Sequence, residues 1–518
     1  CLFEVFALPN PRSGPVVEPD LRRKMAALLA SAAGLLAHGA VDPAAVSGGL
    51  DLRVTRGLGP KGYGRMRVSA VTHGPREFAD FAFEYSQPFR YRWTTWLDAA
   101  RNASQPDVPA RWLHSSLVDL GPGGGERTLT IGGRNVTLRL PPPRGASRGL
   151  LLSDPCFTPP AGTQRWIDCE FSERWQTFNR TVALLNSALG PSPSPPVDYW
   201  MVLGDNFYDQ NGAVSDVLMG SLSLAAKSTP LAVVAGNHDM WIPGGPDKGD
   251  EFDQHGIGTM QYYAVDPAAS LGLPPSSAPG AFLDFSVDPD ATARWNSSLN
   301  TAANLVWYHA VGDVGFIGAS GAFPESALAP HLDAACAWLA ALPTAARPRW
   351  LFLLGHWDGD GGATAEAECN PCLGADTPAL HARLRHTPGC AEYGSRLKYQ
   401  DGHTHCNRVQ EVEAGTGEAR GFLVGASGMS GCSQFGFEYV ETEGEAAGEG
   451  GAEGGARAGG GGALRVWYFE LEREGAPSRA DAVLSCVAAQ GLPACTHLAT
   501  LWFDSAAARG TTPNEAQE

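Results

Sequence analysis

The sequence has few features of a membrane protein or a nucleic-acid-binding protein. Charged residues make up only 18%, and 55 acidic residues outnumber 38 lysines and arginines, which gives a formal net charge of −17. Such an acidic balance argues against binding to nucleic acid. The apolar stretch at 26–37 has 12 residues, whereas a transmembrane helix needs roughly 20. We therefore expect neither a nucleic-acid partner nor a membrane span.

The cysteines and the possible glycosylation sites favour an oxidising compartment. Eleven cysteines are many for a cytosolic enzyme, and their odd number leaves at least one thiol unpaired or paired between chains. The chain begins at Cys1 rather than at Met, which suits prior removal of a leader. Four Asn-X-Ser/Thr sequons are present, at Asn102, Asn135, Asn179 and Asn296. These features predict a secreted or lumenal protein (extracellular, vacuolar or lysosome-like) with disulfide bonds and glycans.

Cys369 and Cys372 enclose two residues and leave three interpretations open. They could form a redox pair, they could bind zinc together with Cys390 and Cys406, or they could take part in structural disulfides. The sequons favour disulfides, because such bonds persist in secreted proteins. A disulfide at Cys406 would also stiffen the chain at the histidine that precedes it.

The pattern of apolar segments divides the 518 residues into several regions, as expected at roughly 150 residues per domain. The first region contains a predicted helix over 20–37 and a hairpin of 50–56 and 65–71. The second contains a hairpin that turns at Gly132-Gly133. In the third, the Gly/Glu-rich stretch 443–463 is a disordered insertion between two strands. The regions are a small α+β unit of unknown role at 1–75, a β-rich domain at 76–147, an α/β domain at 148–475 and a C-terminal tail at 476–518.

The region 148–475 alternates apolar runs with helical segments. Its first half reads LLLSD, DYWMVLGD and PLAVVAGN, separated by helical stretches near 170–188 and 214–227. Its second half contains four more such runs and a helix at about 326–342: VGFIGAS (314–320), RWLFLLGH (349–356), LKYQDGH (397–403) and GFLVGAS (421–427). This β-α-β-α-β order predicts an α/β fold, a layered β-sandwich flanked by helices.

Side chains of metal-ligand type follow five of these runs. Open α/β sheets place their sites at the carboxyl ends of strands, so we expect these side chains to converge. Seven oxygen and nitrogen donors suffice for two metal ions that share one bridge, and two ions can hold the attacking and leaving oxygens of a phosphate ester. The donors are Asp154, Asp205, Tyr208, Asn237, His356, His403 and His405.

The chemistry of individual donors supports this hypothesis. The carboxylate of Asp205 has two oxygens and can bridge two ions. Tyr208 could bind as a phenolate to a strongly Lewis-acidic ion such as Fe³⁺, since free tyrosine has a pKa of about 10. His403 and His405 lie two residues apart, so on an extended segment they face one way and can reach neighbouring ions.

The blocks GDNFYD, GNHD, GHW and GHTHCN occur in this order, and the set resembles the calcineurin-like metallophosphoesterases. The tyrosine three residues after the aspartate of the first block narrows the resemblance to the purple acid phosphatase branch. The resemblance covers roughly 148–475.

The resemblance implies a role for each donor. One ferric ion would be held by Asp154, Asp205, Tyr208 and His405. A second ion, Fe²⁺, Zn²⁺ or Mn²⁺, would be held by Asp205, Asn237, His356 and His403. A hydroxide on or between the ions would attack phosphorus. His238 would steady the phosphate or protonate the leaving alkoxide, and Asp239 would orient that imidazole.

Two blocks depart from the family pattern. The first usually reads Asp-X-Gly or Asp-X-His, whereas here Asp154 is followed by Pro155 and Cys156, which could pair with Cys169 and clamp the loop. The family also often has another histidine soon after the GH block. This chain instead carries Asp358 and Asp360 there, with His381 and His386 only later. The second half of the substrate pocket could therefore be built differently.

We predict a binuclear hydrolase of phosphomonoesters that acts at acid to neutral pH on phosphorylated small molecules or phosphoproteins. A phosphodiesterase or nucleotide hydrolase on the same site is the first alternative. A catalytically silent binding protein that retains the fold is the second. The sequence carries no signal about the oligomeric state.

Overall fold

The computed structural model describes 50–56, 63–89, 111–158, 169–191, 194–209, 213–240, 305–359, 375–413, 417–429, 431–444 and 462–506. All of these ranges belong to one unit, Leu50–Glu518. The predicted helix over 20–37 and the insertion at 445–461 lie outside the described residues.

The strands are β1 Asp51–Arg56, β2 Arg65–Thr72, β3 Tyr85–Phe89, β4 Arg111–Asp119, β5 Gly125–Ile131, β6 Arg134–Leu140, β7 Ser147–Leu152, β8 Tyr199–Leu203, β9 Leu231–Val234, β10 Val306–Val311, β11 Val314–Ala319, β12 Trp350–Leu354, β13 Leu397–Asp401, β14 Asn407–Val409, β15 Gly421–Val424, β16 Gln434–Thr442, β17 Leu464–Arg473 and β18 Thr500–Asp504. The α-helices are α1 Ser172–Trp175, α2 Thr177–Ala188, α3 Ala213–Ser221, α4 Leu224–Ser228, α5 Asn237–Met240, α6 Glu325–Ala341, α7 Thr377–Leu384 and α8 Ala480–Gln490. Short 3₁₀ helices cover Thr344–Ala346, Ala391–Arg396 and Leu492–Leu498.

Within the described ranges, ten strands form one sheet in the order β18-β17-β16-β7-β8-β9-β1-β2-β4-β3. Its centre is parallel, because β7 pairs with β8 and β8 with β9 in the same direction. Helices connect these three strands, which confirms the predicted β-α-β-α-β order. Strands β8 and β9 are fully buried apolar runs, as expected of parallel strands covered on both faces.

A second sheet has the order β10-β11-β12-β13-β15-β14 over the same part of the chain. Strands β11, β12, β13 and β15 run parallel, so their carboxyl ends share one edge. The inner faces of the two sheets pack together: the Tyr199 ring lies 5.0 Å from that of Phe316, and Trp307 Nε1 donates to the Val233 carbonyl at 2.8 Å. Helices α6 and α7 pack on the second sheet, and α8 packs on β17 and α2. The predicted layered α/β fold is confirmed.

The N-terminal strands join the first sheet. β1 and β2 form the predicted antiparallel hairpin, and β1 also pairs in parallel with β9. β5 and β6 form the predicted hairpin around Gly132 and Gly133, and β16 and β17 form the one that encloses the insertion. The domain boundaries at 75, 147 and 475 stay a prediction, although the sheet itself continues across the first two.

Four disulfides occur among the described cysteines: Cys156–Cys169, Cys336–Cys390, Cys406–Cys432 and Cys486–Cys495. The predicted pairing of Cys156 with Cys169 is confirmed. The zinc alternative that used Cys390 and Cys406 is wrong, because both sulfurs are bonded to other cysteines. Cys369 and Cys372 lie outside the described residues.

Among the helices that the structure describes, none is long and apolar enough to cross a bilayer.

Candidate metal centre

The predicted donors occupy the turns where five strands end. Asp154 lies two residues beyond β7, Asp205 two beyond β8, Asn237 three beyond β9, His356 two beyond β12 and His403 two beyond β13. Three of these strands belong to the first sheet and two to the second. Because the two sheets pack face to face with these ends along one edge, the turns meet there.

The backbone of these turns is unusual. Five of the seven donors have a left-handed backbone, with φ of 51° at Asp154, 49° at Asp205, 49° at Tyr208, 75° at His403 and 54° at His405. A residue with a Cβ atom pays of order 1–3 kcal/mol for such a conformation, which persists only when the surroundings impose it. Strain of this kind clusters at functional sites, so the backbone supports a site at this edge.

The first group of donors surrounds Asp154. Its Oδ1 atom lies 3.4 Å from His405 Nε2 and 3.2 Å from the Tyr208 hydroxyl. The Tyr208 hydroxyl lies 2.9 Å from the same His405 nitrogen. Ligand atoms of Asp154, Asp205 and His405 all lie within 4.8 Å of one another, a spacing that suits a single cation.

The second group surrounds His356, whose side chain is fully buried. Its Nε2 atom lies 3.4 Å from Asp205 Oδ1, 3.2 Å from Asn237 Oδ1 and 4.0 Å from Asp154 Oδ1. The His403 ring lies 5.1 Å from the His356 ring. Asp205 therefore lies between the two groups.

Hydrogen bonds fix the orientation of two donors. His356 Nδ1 lies 2.8 Å from the Leu203 carbonyl, so it carries the proton there and leaves Nε2 for the site. Asp154 Oδ2 accepts from the Ser153 hydroxyl at 2.6 Å and from the His403 amide at 3.0 Å. Both arrangements direct the remaining donor atom of the side chain toward the centre.

Two glycines allow the turns to approach so closely. A Cβ atom at Gly236 would lie 2.3 Å from Asp205 Oδ1 and 2.8 Å from the His356 ring. A Cβ atom at Gly402 would lie 2.6 Å from Asp154 Oδ2. Each glycine directly precedes one donor and packs against the donor of another block. This close packing explains why a glycine stands before the donor in GNHD and in GHTHCN.

The predicted catalytic pair lies beside this centre. The His238 amide donates to Asp205 Oδ1 at 2.9 Å, and its ring lies 4.9 Å from that of Tyr208. The His238 side chain is 29% exposed, so it can reach a substrate. Asp239 is buried and accepts from the Asn206 amide, the Asn206 side chain and the Gly236 amide. These bonds join the two turns. That Asp239 orients the His238 imidazole stays a prediction.

Burial and neighbouring charges shift the pKa values of several groups at the centre. Burial opposes protonation of His356, yet Asp205 and Asp154 raise its pKa to about 10. Burial also opposes ionisation of Asp205, but His356 and His238 hold the pKa of that carboxyl well below its usual range. Burial and the two carboxylates raise the pKa of Tyr208 well above its usual value, so only an added positive charge would favour its phenolate. The donor set thus fits a metal site.

Several neighbouring residues escaped the sequence-based prediction. Asn206 holds the GDNFYD turn, and Thr404 bonds to Asp358 beside the predicted ligands. These residues lie in or beside the quoted blocks, but no pattern indicates their roles, because their contacts join blocks distant in sequence. His381, considered as a later histidine, is buried with Nε2 at 3.2 Å from the Leu397 carbonyl and contacts the Tyr399 ring. Asp360 lies outside the described residues.

Part of the chain is similar to known proteins. Residues 149–297 match the family model of the calcineurin-like phosphoesterases. A solved structure, purple acid phosphatase PPD1 from seeds of yellow lupin (Lupinus luteus), matches with 13% identity and a TM-score of 0.49, over 81% of this chain and 72% of that chain. No curated protein matches the chain. Residues 149–297 are therefore similar to the calcineurin-like phosphoesterases.

Proposed function

We propose that the chain is a binuclear phosphomonoester hydrolase of the purple acid phosphatase type. The observation that supports this most strongly is the convergence of donors from five separate blocks around Asp205. Its carboxylate contacts His356 on one side, and the ligand atoms of Asp154 and His405 lie within 4.8 Å on the other. A buried carboxylate between two donor groups is what a pair of ions with a shared bridge requires.

The donors divide between two ions as follows. Asp154, Tyr208 and His405 would hold Fe³⁺ on one side of Asp205. Asn237, His356 and His403 would hold Fe²⁺, Zn²⁺ or Mn²⁺ on the other. When bound, the ions would lower the pKa of a water molecule and offset the charge of the phosphoryl group.

Side chains around the ions would orient the substrate and move a proton. His238 lies beside Asp205 and Tyr208 and is partly exposed, so its imidazole can donate a proton to the leaving oxygen. The phosphoryl oxygens would face this imidazole at the open side of the centre. Asp239 would keep the two turns together through its bonds to Asn206 and Gly236.

The location of the protein is part of the same proposal. Disulfide bonds persist in oxidising compartments, so the four bonds among the described residues support a secreted or lumenal enzyme. Asn135 of one sequon is exposed on β6, where a glycan could be attached.

Two chromogenic substrates test the function. We expect the metal-loaded protein to hydrolyse p-nitrophenyl phosphate with a kcat/KM at least about tenfold above that for bis-p-nitrophenyl phosphate. The opposite order would assign a phosphodiesterase. Absence of turnover of both, with two ions bound per chain, would assign a catalytically silent protein.

A further inference from the structure

A cleft of about 600 Å³ separates the β5–β6 hairpin from the body of the protein. One wall carries alternate side chains of β6, from Asn135 to Arg139. The other wall is built from residues of the ranges 189–191, 196–198 and 224–230. The last two of these ranges directly precede β8 and β9, so the cleft lies at the amino ends of those strands. The predicted metal ligands follow the same strands, so the two sites lie at opposite ends of them.

The cleft is closed at one end and open at the other. At the closed end, Arg139 forms a salt bridge with the buried carboxylate of Asp198 and donates to the Pro196 carbonyl at 3.4 Å. Asn135 and Thr137 lie further along the same face of β6, and both are exposed. A group attached to Asn135 therefore starts at the mouth of the cleft.

Asn135 and Thr137 are also the two residues that define one sequon, and both line the cleft. The Thr130 hydroxyl donates to Asn135 Oδ1 at 3.4 Å, and a glycan would be attached through Nδ2, the other atom of this amide. Asn179 is the other sequon asparagine within the described residues. It is exposed on α2 and does not line the cleft, so it provides an internal comparison.

The lining of the cleft suits a sugar. A sugar ring has apolar C–H faces and hydroxyl groups at its rim, and the cleft offers proline rings together with the hydroxyls of Thr137 and Thr229. Pockets of this size, with apolar walls and a few polar groups, bind small molecules. A short tether holds its ligand at an effective concentration of about millimolar, so weak contacts suffice to keep a tethered sugar in place.

We propose that the first sugars of an N-glycan on Asn135 occupy this cleft and join the hairpin to the body of the protein. The occupant is the pair of N-acetylglucosamine residues with which N-glycans begin. The inference rests on the proposed secreted or lumenal location, and it assigns the glycan no part in catalysis.

Enzymatic release of the glycan from the native protein tests the proposal. The full-length chain is secreted from a cell line that makes only oligomannose glycans and is then treated with peptide-N-glycosidase. This enzyme converts each released asparagine to aspartate, which mass spectrometry detects. Because the enzyme must reach the bond between Asn135 and the first sugar, release there should be at least about tenfold slower in the native than in the denatured protein. At Asn179 the two rates should agree within about threefold.

Two variants fill the cleft and leave the sequon intact. Ala225→Arg places a long side chain on one wall, and Glu126→Arg places one on the other wall at an exposed position. Each should displace the sugars and raise the rate of release at Asn135 in the native protein towards the rate in the denatured protein. Glu77→Arg makes the same charge change as Glu126→Arg at an exposed residue that does not line the cleft, and it should leave that rate unchanged.

The outcomes separate this inference from the proposed function. It is wrong if Asn135 of the secreted chain carries no glycan, if the native and denatured proteins release that glycan equally fast, or if neither arginine variant in the cleft speeds its release. Turnover of p-nitrophenyl phosphate by the same samples tests the hydrolase function independently. Asn135→Gln removes the glycan and should change kcat/KM by less than about twofold, because the cleft and the predicted ligands are distant.

Discussion

Strand β8 has a buried aspartate near each end, and the pKa values of the two carboxyls are shifted in opposite directions. Asp198 precedes the strand and is 5% exposed, and Asp205 follows it and is 1% exposed. Burial raises the pKa of Asp198 to about 6, even though Arg139 pairs with it. At Asp205 burial acts in the same direction, but the surrounding imidazoles hold the pKa of the carboxyl well below its usual range.

The backbone shows the same difference. Asp205 takes a left-handed conformation with φ of 49°, as do four other donors at this edge. The turn of the β5–β6 hairpin also needs left-handed residues, but there Gly132 and Gly133 take that conformation without steric cost. Burial alone therefore does not mark a functional aspartate. What distinguishes Asp205 is the set of metal-type donors around it, several of which also have a left-handed backbone.

The largest effect should come from removing the carboxylate of Asp205, which follows β8. Asp205→Ala removes the bridge, so both metal content and kcat/KM should fall, the latter by more than about 100-fold. His238→Ala should lose activity and keep the metal, because its side chain lies beside the ions. Elemental analysis and p-nitrophenyl phosphate turnover measure both. Normal hydrolysis by the Asp205 variant would remove the basis of the assignment.

The next largest effect should appear when Gly236 is replaced by alanine, and the same replacement of Gly132 serves for comparison. Gly236→Ala would place a Cβ atom 2.3 Å from Asp205 Oδ1 and 2.6 Å from its amide nitrogen, so we expect metal affinity to fall about 10–100-fold. Gly132→Ala at the hairpin turn meets no atom closer than 3.7 Å. It should cost only about 1 kcal/mol of stability and leave metal binding unchanged. Competition with a chelator and thermal unfolding report the two effects, and equal metal affinities would contradict the comparison.

A smaller effect should come from the disulfide beside His405. The Cys432 amide donates to the His405 carbonyl at 3.2 Å, and Cys406 follows that histidine directly. Replacing Cys406 and Cys432 together by alanine should weaken metal binding and cost about 2–4 kcal/mol of unfolding free energy. Replacing Cys486 and Cys495 together is the control, and it should reduce stability without changing metal content. If both double variants bind metal like the wild type, the first disulfide does not position the ligand.

The smallest effect concerns Asp198, which precedes β8, and it is confined to stability. Because the pKa of Asp198 is about 6 when folded and about 3.9 when unfolded, the folded state binds the proton more tightly between these values. The free energy of unfolding should thus fall as pH rises from about 4 to 6, by at most about 3 kcal/mol. Asp198→Asn should lose this contribution and keep its activity. Urea unfolding at pH 4 and 6 gives the slope, and identical slopes for the variant and wild type would contradict the assignment.

The catalytic half of the fold could be predicted because its signals are local. Each parallel strand is a short apolar run, and each donor stands just beyond it, as at Leu203 and Asp205. The order of strands could not be predicted for the N-terminal part, since nothing in the sequence of β1 indicates that it pairs with β9 on one side and β2 on the other. Pairing between strands distant in sequence depends on tertiary packing, which propensity and periodicity do not carry.

The same limit applies within the site. The seven donors were predicted from motifs, but the contacts that support them were not. Thr404 and Asp358 meet because two loops fold against each other. The left-handed backbone at Tyr208 also leaves no trace in the sequence, because a bulky residue rarely takes this conformation and only the surrounding structure imposes it.

One measurement tests the central claim most directly. Metal analysis combined with a visible absorption spectrum should find two ions per chain, at least one of them iron, with an absorption band from the Tyr208 phenolate. Tyr208→Phe should lose the band. A wild-type protein that is folded, exposed to iron and zinc, and still binds fewer than two ions per chain would contradict the account.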